Sequence, residues 1–145
     1  MAGALSCLGA LLAGCAPGSV EVAGPTRGPT RCSALLAAVP RTVDRQQQRP
    51  VSPEDVLAAA WGDPAIVLRC GVTAPPALTP SSPCAEVEGV GWFAEQRHDG
   101  FRFTTIGRST NVQVYVPYAY EPAADPLVDL ADAIKAHVPE RDPCV

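Results

Sequence analysis

The 145-residue sequence predicts an α+β domain, a mostly antiparallel sheet with helices packed on one face. Apolar residues recur at helical spacing near both ends of the chain. Strict alternation of apolar and polar residues marks its centre, and an Asp-Gly pair stands between alternating runs, where a hairpin turn needs it. The expected element order is helix, helix, strand, antiparallel strands, helix.

Cys32, Leu35, Leu36 and Val39 fall on one helical stripe, which Pro40 stops; the stripe puts Cys32 on the buried side. Residues 41–50, with Gln46, Gln47 and Gln48 among them, read as a polar linker. Ser52-Pro53-Glu54-Asp55 predicts a second helix, with serine as N-cap, proline in the first turn and an acid beside the positive end of the helix dipole. That helix would carry Val56 to Trp61 and end at Gly62. Residues 65–70 read as a buried strand closed by Gly71, and the proline-rich stretch 71–83 as irregular. Two short strands are expected over 85–90 and 91–97, then a hairpin turn in which Asp99-Gly100 supplies positive φ. Beyond it Phe101, Phe103 and Thr105 alternate with Arg102 and Thr104. Val112, Val114 and Val116 then take one face of a strand, and Asn111, Gln113 and Tyr115 the other. Asp125-Pro126 starts the last helix, whose stripe is Leu127, Leu130, Ala131, Ile134 and Val138, and Pro139 ends it.

The N-terminus predicts an address. Leu12-Ala13-Gly14-Cys15 resembles the lipobox at which a bacterial signal peptide is cut and the following cysteine acylated. The apolar stretch 2–13 is shorter than the roughly 20 residues that span a bilayer and matches a signal-peptide core. No basic residue precedes it, so either the signal is a weak one or translation starts upstream of Met1. The expected division is a signal peptide over 1–14, a flexible tether over 15–30 broken by glycine and proline, and one domain over 31–145. A diacylglyceryl thioether on Cys15 would anchor the chain to the outer face of the cytoplasmic membrane.

A net charge of −4 argues against nucleic acid as a partner. Early arginines (Arg27, Arg31, Arg41, Arg45, Arg49) form a basic segment that would either face anionic headgroups or simply be solvated. With Cys7 in the signal and Cys15 acylated, Cys32, Cys70, Cys84 and Cys144 remain, an even set that implies disulfides in an oxidising compartment. Four cysteines allow three connectivities; burial of both partners favours Cys32–Cys70 and leaves Cys84–Cys144. No Cys-x-x-Cys pair occurs and neither histidine lies near a cysteine, so no metal and no cofactor is expected.

The stretch Ala59-Ala60-Trp61-Gly62-Asp63-Pro64-Ala65-Ile66-Val67-Leu68-Arg69-Cys70-Gly71-Val72 resembles the DUF3515 family of actinobacterial secreted proteins. The early Cys32 before Leu35-Leu36, the segment Arg49-Pro50-Val51, the motif Val90-Gly91-Trp92-Phe93 and the aromatic run from Phe101 to Gly107 extend the resemblance over most of the domain. Cys84 and Cys144 do not look like part of that pattern, so their pairing rests on parity. The resemblance implies a membrane-attached envelope protein and no particular activity.

Catalytic signatures are absent from the sequence. There is no Gly-x-Ser-x-Gly, no His-Glu-x-x-His and no phosphate-cradling glycine loop. His98 at a turn and His137 in a last helical turn have ordinary structural explanations, and Glu86, Glu88 and Glu95 read as acids on a wet sheet face. Trp92, Tyr118, Tyr120 and Arg69 are candidates for a contact surface, and Arg69 and Arg102 are placed to pair with an acid or to meet an anion. The expected function is therefore a non-enzymatic, lipid-anchored binding or interaction domain whose partner is a cell-wall component or another envelope protein. The alternative is a small envelope enzyme acting on cell-wall or lipid intermediates, which a cleft joining Arg69, Glu86 or His98 would favour over a flat aromatic patch.

Overall fold

A computed structural model describes residues 18–144, so Cys15 and the signal segment lie outside the described residues. In chain order the elements are β1 (Val20–Glu21), α1 (Thr30–Ala38), β2 (Thr42–Val43), β3 (Gln46–Arg49), β4 (Val51–Ser52), β5 (Ala58–Trp61), β6 (Ile66–Cys70), β7 (Ala85–Val87), β8 (Val90–Gln96), β9 (Gly100–Thr105), β10 (Val112–Pro117) and α2 (Asp125–His137). Eight strands form one sheet in the order β2-β3-β5-β6-β10-β9-β8-β7, with every pairing antiparallel. A short parallel pair, β1 with β4, stands apart from it. The α+β expectation holds.

Both helices cover one face. Cys32 and Leu35 from α1 and Leu127, Leu130, Ala131 and Ile134 from α2 share a core with Leu68, Val112, Val114, Val116, Trp61 and Trp92. Burying a leucine or isoleucine of this stripe stabilises by about 1.5–3 kcal/mol, so α2 is held chiefly by packing. Asp125 in its first turn and Lys135 and His137 in its last also suit the helix dipole. The Cys32–Cys70 disulfide, with Cα atoms 5.6 Å apart, ties α1 to the end of β6. A second disulfide joins Cys84 to Cys144, with Cα atoms 5.8 Å apart. It lies over Gly91, where any Cβ would run into both sulfurs.

Several local expectations are corrected. The segment after Ser52-Pro53 is not a helix: residues 58–61 form β5, hydrogen-bonded between β3 and β6. All four of its residues are buried, Ala59 and Trp61 in the helix-side core and Ala58 and Ala60 in a smaller core behind the sheet. A strand buried on both faces has no polar alternation to distinguish it from a helix. The polar linker over 41–50 is the hairpin β2–β3, turning through Asp44 and Arg45, both at positive φ. The strands expected over 85–97 are interrupted by a turn at Glu88-Gly89, also at positive φ. The β8–β9 hairpin exists, but Gln96 pairs with Phe101, which makes His98-Asp99 the loop. Gly100 lies in the strand at ordinary φ, and there a Cβ would strike the Val116 carbonyl and the Pro117 Cα.

The tether is corrected as well, for residues 18–30. Glycines and prolines keep this arm extended, but it is docked: Val20 N–H donates to Pro50 O at 2.8 Å, Val22 N–H to Ser52 O at 2.9 Å, and Leu57 N–H to Pro25 O at 2.7 Å. Val22 is buried with Val56, Ala58, Ala60 and Val67 on the sheet face opposite the helices. An extended chain presents backbone donors and acceptors along its length, and alternation lets Val20 and Val22 face the sheet together.

Candidate functional site

The docked arm covers only part of the face that the helices leave open. Beside it lies a cleft of about 540 Å³. Its floor comes from three central strands: Arg69 on β6, Gln113 and Tyr115 on β10, and Arg102 on β9. Antiparallel register puts them on one face. Gln113 stands opposite Arg69, and Tyr115 stands opposite Arg102, which in turn stands opposite Glu95 on β8. One wall is the arm at Ala23 and Gly24, and another is the β8–β9 turn with Arg97, His98 and Asp99.

The two floor arginines differ in their company. Arg102 makes a two-pronged ion pair with Glu95, Nε to Oε2 and Nη2 to Oε1, both at 2.9 Å. The hydrogen bonds it donates to Glu95 hold the Arg102 guanidinium above its ordinary pKa. Arg69 donates through Nε to the Ala23 carbonyl at 2.8 Å. Among the described residues no carboxylate comes within ion-pair distance of it. Burial, and then the like charge of Arg102, lower its pKa.

Tyr115 closes the floor near the turn. Burial, then the hydrogen bond to Asp99, push its hydroxyl up to about 12. The same contact lowers the Asp99 carboxyl below its ordinary value. His98 places Nδ1 3.4 Å from the Asp99 carboxylate, but its side chain is 91% exposed, so it stands on the lip and does not converge on the floor. The cleft thus offers guanidinium and carboxamide donors over its floor and one carboxylate at its rim.

Of the expected contact residues, only Arg69 lines this cleft. Trp92 is fully buried, edge-on to Phe103 with ring centroids 6.4 Å apart, and Tyr120 is 9% exposed with its hydroxyl donating to Pro64 O at 2.6 Å. Neither serves a surface, which corrects the aromatic patch: both rings are long enough to close the core. Tyr118 is exposed, donates its hydroxyl to Arg97 O at 2.6 Å and accepts from Gln96 Nε2 at 3.1 Å. It braces the turn that walls the cleft. Glu86 and Glu88 are exposed away from the cleft and Glu95 is committed to Arg102, so the three acids form no paired-carboxylate site. Gln113 and Tyr115 were legible as the wet side of a strand, but not as neighbours of Arg69. Among the described residues there is no cluster of metal-ligating side chains and no helix long and apolar enough to cross a membrane.

The cleft floor is carried by β6, β9 and β10, and β5, β6 and β8 carry or lead into the Trp-Gly, Leu-Arg-Cys-Gly-Val and Val-Gly-Trp-Phe segments. A family model described as a protein of unknown function, DUF3515, matches residues 13–143. The chain belongs to the DUF3515 family. No curated protein and no solved structure matches it. In this DUF3515 chain the matched span takes in the docked arm together with the domain; Cys84 lies inside it and Cys144 one residue beyond its end.

Proposed function

We propose that this DUF3515 protein is a lipid-anchored, extracytoplasmic binding domain of the cell envelope, and that the arginine cleft is its ligand seat. The single observation that carries the binding role is Arg69, a partly buried cation lining an open cleft without a carboxylate partner among the described residues. Two disulfides support an oxidising compartment. The Leu12-Ala13-Gly14-Cys15 run supplies the anchor of this reading, with a cell-wall component or an envelope protein as partner.

The cleft brings Arg69 and His98 to one site, the arrangement that favours the alternative of a small envelope enzyme. Binding is preferred because His98 is solvated on the lip and its neighbour Asp99 is engaged with Tyr115, which leaves no nucleophile and base in mutual reach on the floor.

Mass analysis of the mature protein tests the anchor. The wild-type chain is expected to begin at an acylated Cys15 and to sediment with membranes, and the Cys15→Ala chain to lack the acyl mass and lose membrane attachment. A wild-type product without acylation at Cys15 would refute the lipoprotein reading.

A further inference from the structure

Arg69 poses a specific physical problem. Its Nε is satisfied by Ala23 O, but its two Nη groups donate to no acceptor among the described residues. A second guanidinium, Arg102, is close enough to depress its ionisation. A partly buried cation beside a like charge is unfavourable unless an anion joins it. Gln113, between the two on β10, makes no side-chain hydrogen bond to the described residues, and Arg102 keeps Nη1 uncommitted while Glu95 fixes its plane.

We infer that the cleft binds a phosphate group, seated between the guanidinium groups of Arg69 and Arg102 with the Gln113 carboxamide as a third donor. The inference rests on the cleft being the ligand seat and adds the class of ligand. A carboxylate is planar and one guanidinium fork satisfies both its oxygens. A phosphate presents oxygens in several directions, so it accepts from donors on two different strands at once. Arg97 adds positive charge at the rim, and Asp99 opposes it. The shared chemistry is a phosphate ester or free phosphate; a lipid headgroup and a soluble phosphate are its two sources.

Calorimetric titration of the purified full chain in detergent tests this, with inorganic phosphate, water-soluble dihexanoyl phosphatidylglycerol and acetate as probes. At least one phosphate probe is expected to bind, with acetate at least about tenfold weaker. Stronger binding of inorganic phosphate assigns a soluble source, and stronger binding of the phosphatidylglycerol a headgroup. Arg69→Gln is expected to weaken binding at least about tenfold, Asp99→Asn to tighten it, and Arg45→Gln, on the distant β2–β3 turn, to leave it unchanged. Should Arg69→Gln melt early, Arg69→Lys keeps the charge and loses the fork, and the same weakening is expected at an unchanged melting temperature. The inference is overturned if neither phosphate probe binds, if acetate binds as tightly as phosphate, or if a folded Arg69 variant binds as the wild type does. Acylation at Cys15 is read separately by mass, so failure of the anchor and failure of phosphate binding are distinguishable.

Discussion

Tyr115 is the residue whose environment is easiest to measure. The chain has three tyrosines, and this one carries a hydroxyl raised from 10.0 to about 12, chiefly by burial. A raised tyrosine pKa means that the folded state holds the proton more tightly than the unfolded state. The stability this contributes is fully present below the unfolded value and is lost as pH rises through the folded one. Between pH 10 and 12 the urea midpoint is therefore expected to fall, and Tyr115→Phe to flatten that fall. Ultraviolet titration of phenolate absorbance checks it directly: the variant should lose the highest-titrating component. Residue identity alone made Tyr115 a wet-face tyrosine. Its neighbour Asp99 is sixteen positions away in sequence and arrives only through the β8–β9 turn. Trp92 and Tyr120 teach the converse, since an amphipathic ring is compatible with a surface or with a core, and only the surrounding apolar side chains decide which.

At the scale of elements, legibility followed how many faces are buried. In β10, Val112, Val114 and Val116 alternate with half-exposed Gln113 and Tyr115, and in α2 the stripe Leu127, Leu130, Ala131, Ile134 faces one core. One-sided burial writes its period into the sequence. In β5 both faces are buried, so Ala-Ala-Ala-Trp carries no period, and local helix propensity with a good start signal points the wrong way. Cysteine burial, by contrast, selected Cys32–Cys70, and parity left Cys84–Cys144. Each closes a long loop, the partners standing 38 and 60 positions apart in sequence. Replacing either pair by alanine is expected to cost about 3–4 kcal/mol, read from guanidinium midpoints under oxidising conditions. The Cys32–Cys70 pair should cost the more, because both its residues are fully buried and alanine also leaves a void.

The whole molecule is organised by which surfaces cover the sheet. Helices cover one face, while the arm takes part of the other and leaves the cleft beside it. The arm is therefore a wall of the site as well as the route toward Cys15. Amide exchange tests its docking: Val20, Val22 and Leu57 donate to Pro50, Ser52 and Pro25, and their N–H groups are expected to exchange far more slowly than in an unstructured peptide. Random-coil exchange at Val20 and Val22 would restore a free tether. Glycine and proline content excluded a helix there, which was correct, but it says nothing about whether an extended segment finds a partner edge.

The sequence by itself determined the one-sided elements, the α+β class, the even set of disulfide cysteines and the signature of the family, because each is written in local period, composition or spacing. Tertiary structure alone decided that the arm docks, that β5 is a strand, and that Arg69, Arg102 and Gln113 share one floor. These facts depend on strand order and register, which join residues far apart in the chain through backbone hydrogen bonds common to every residue type, so no local pattern of side chains encodes them.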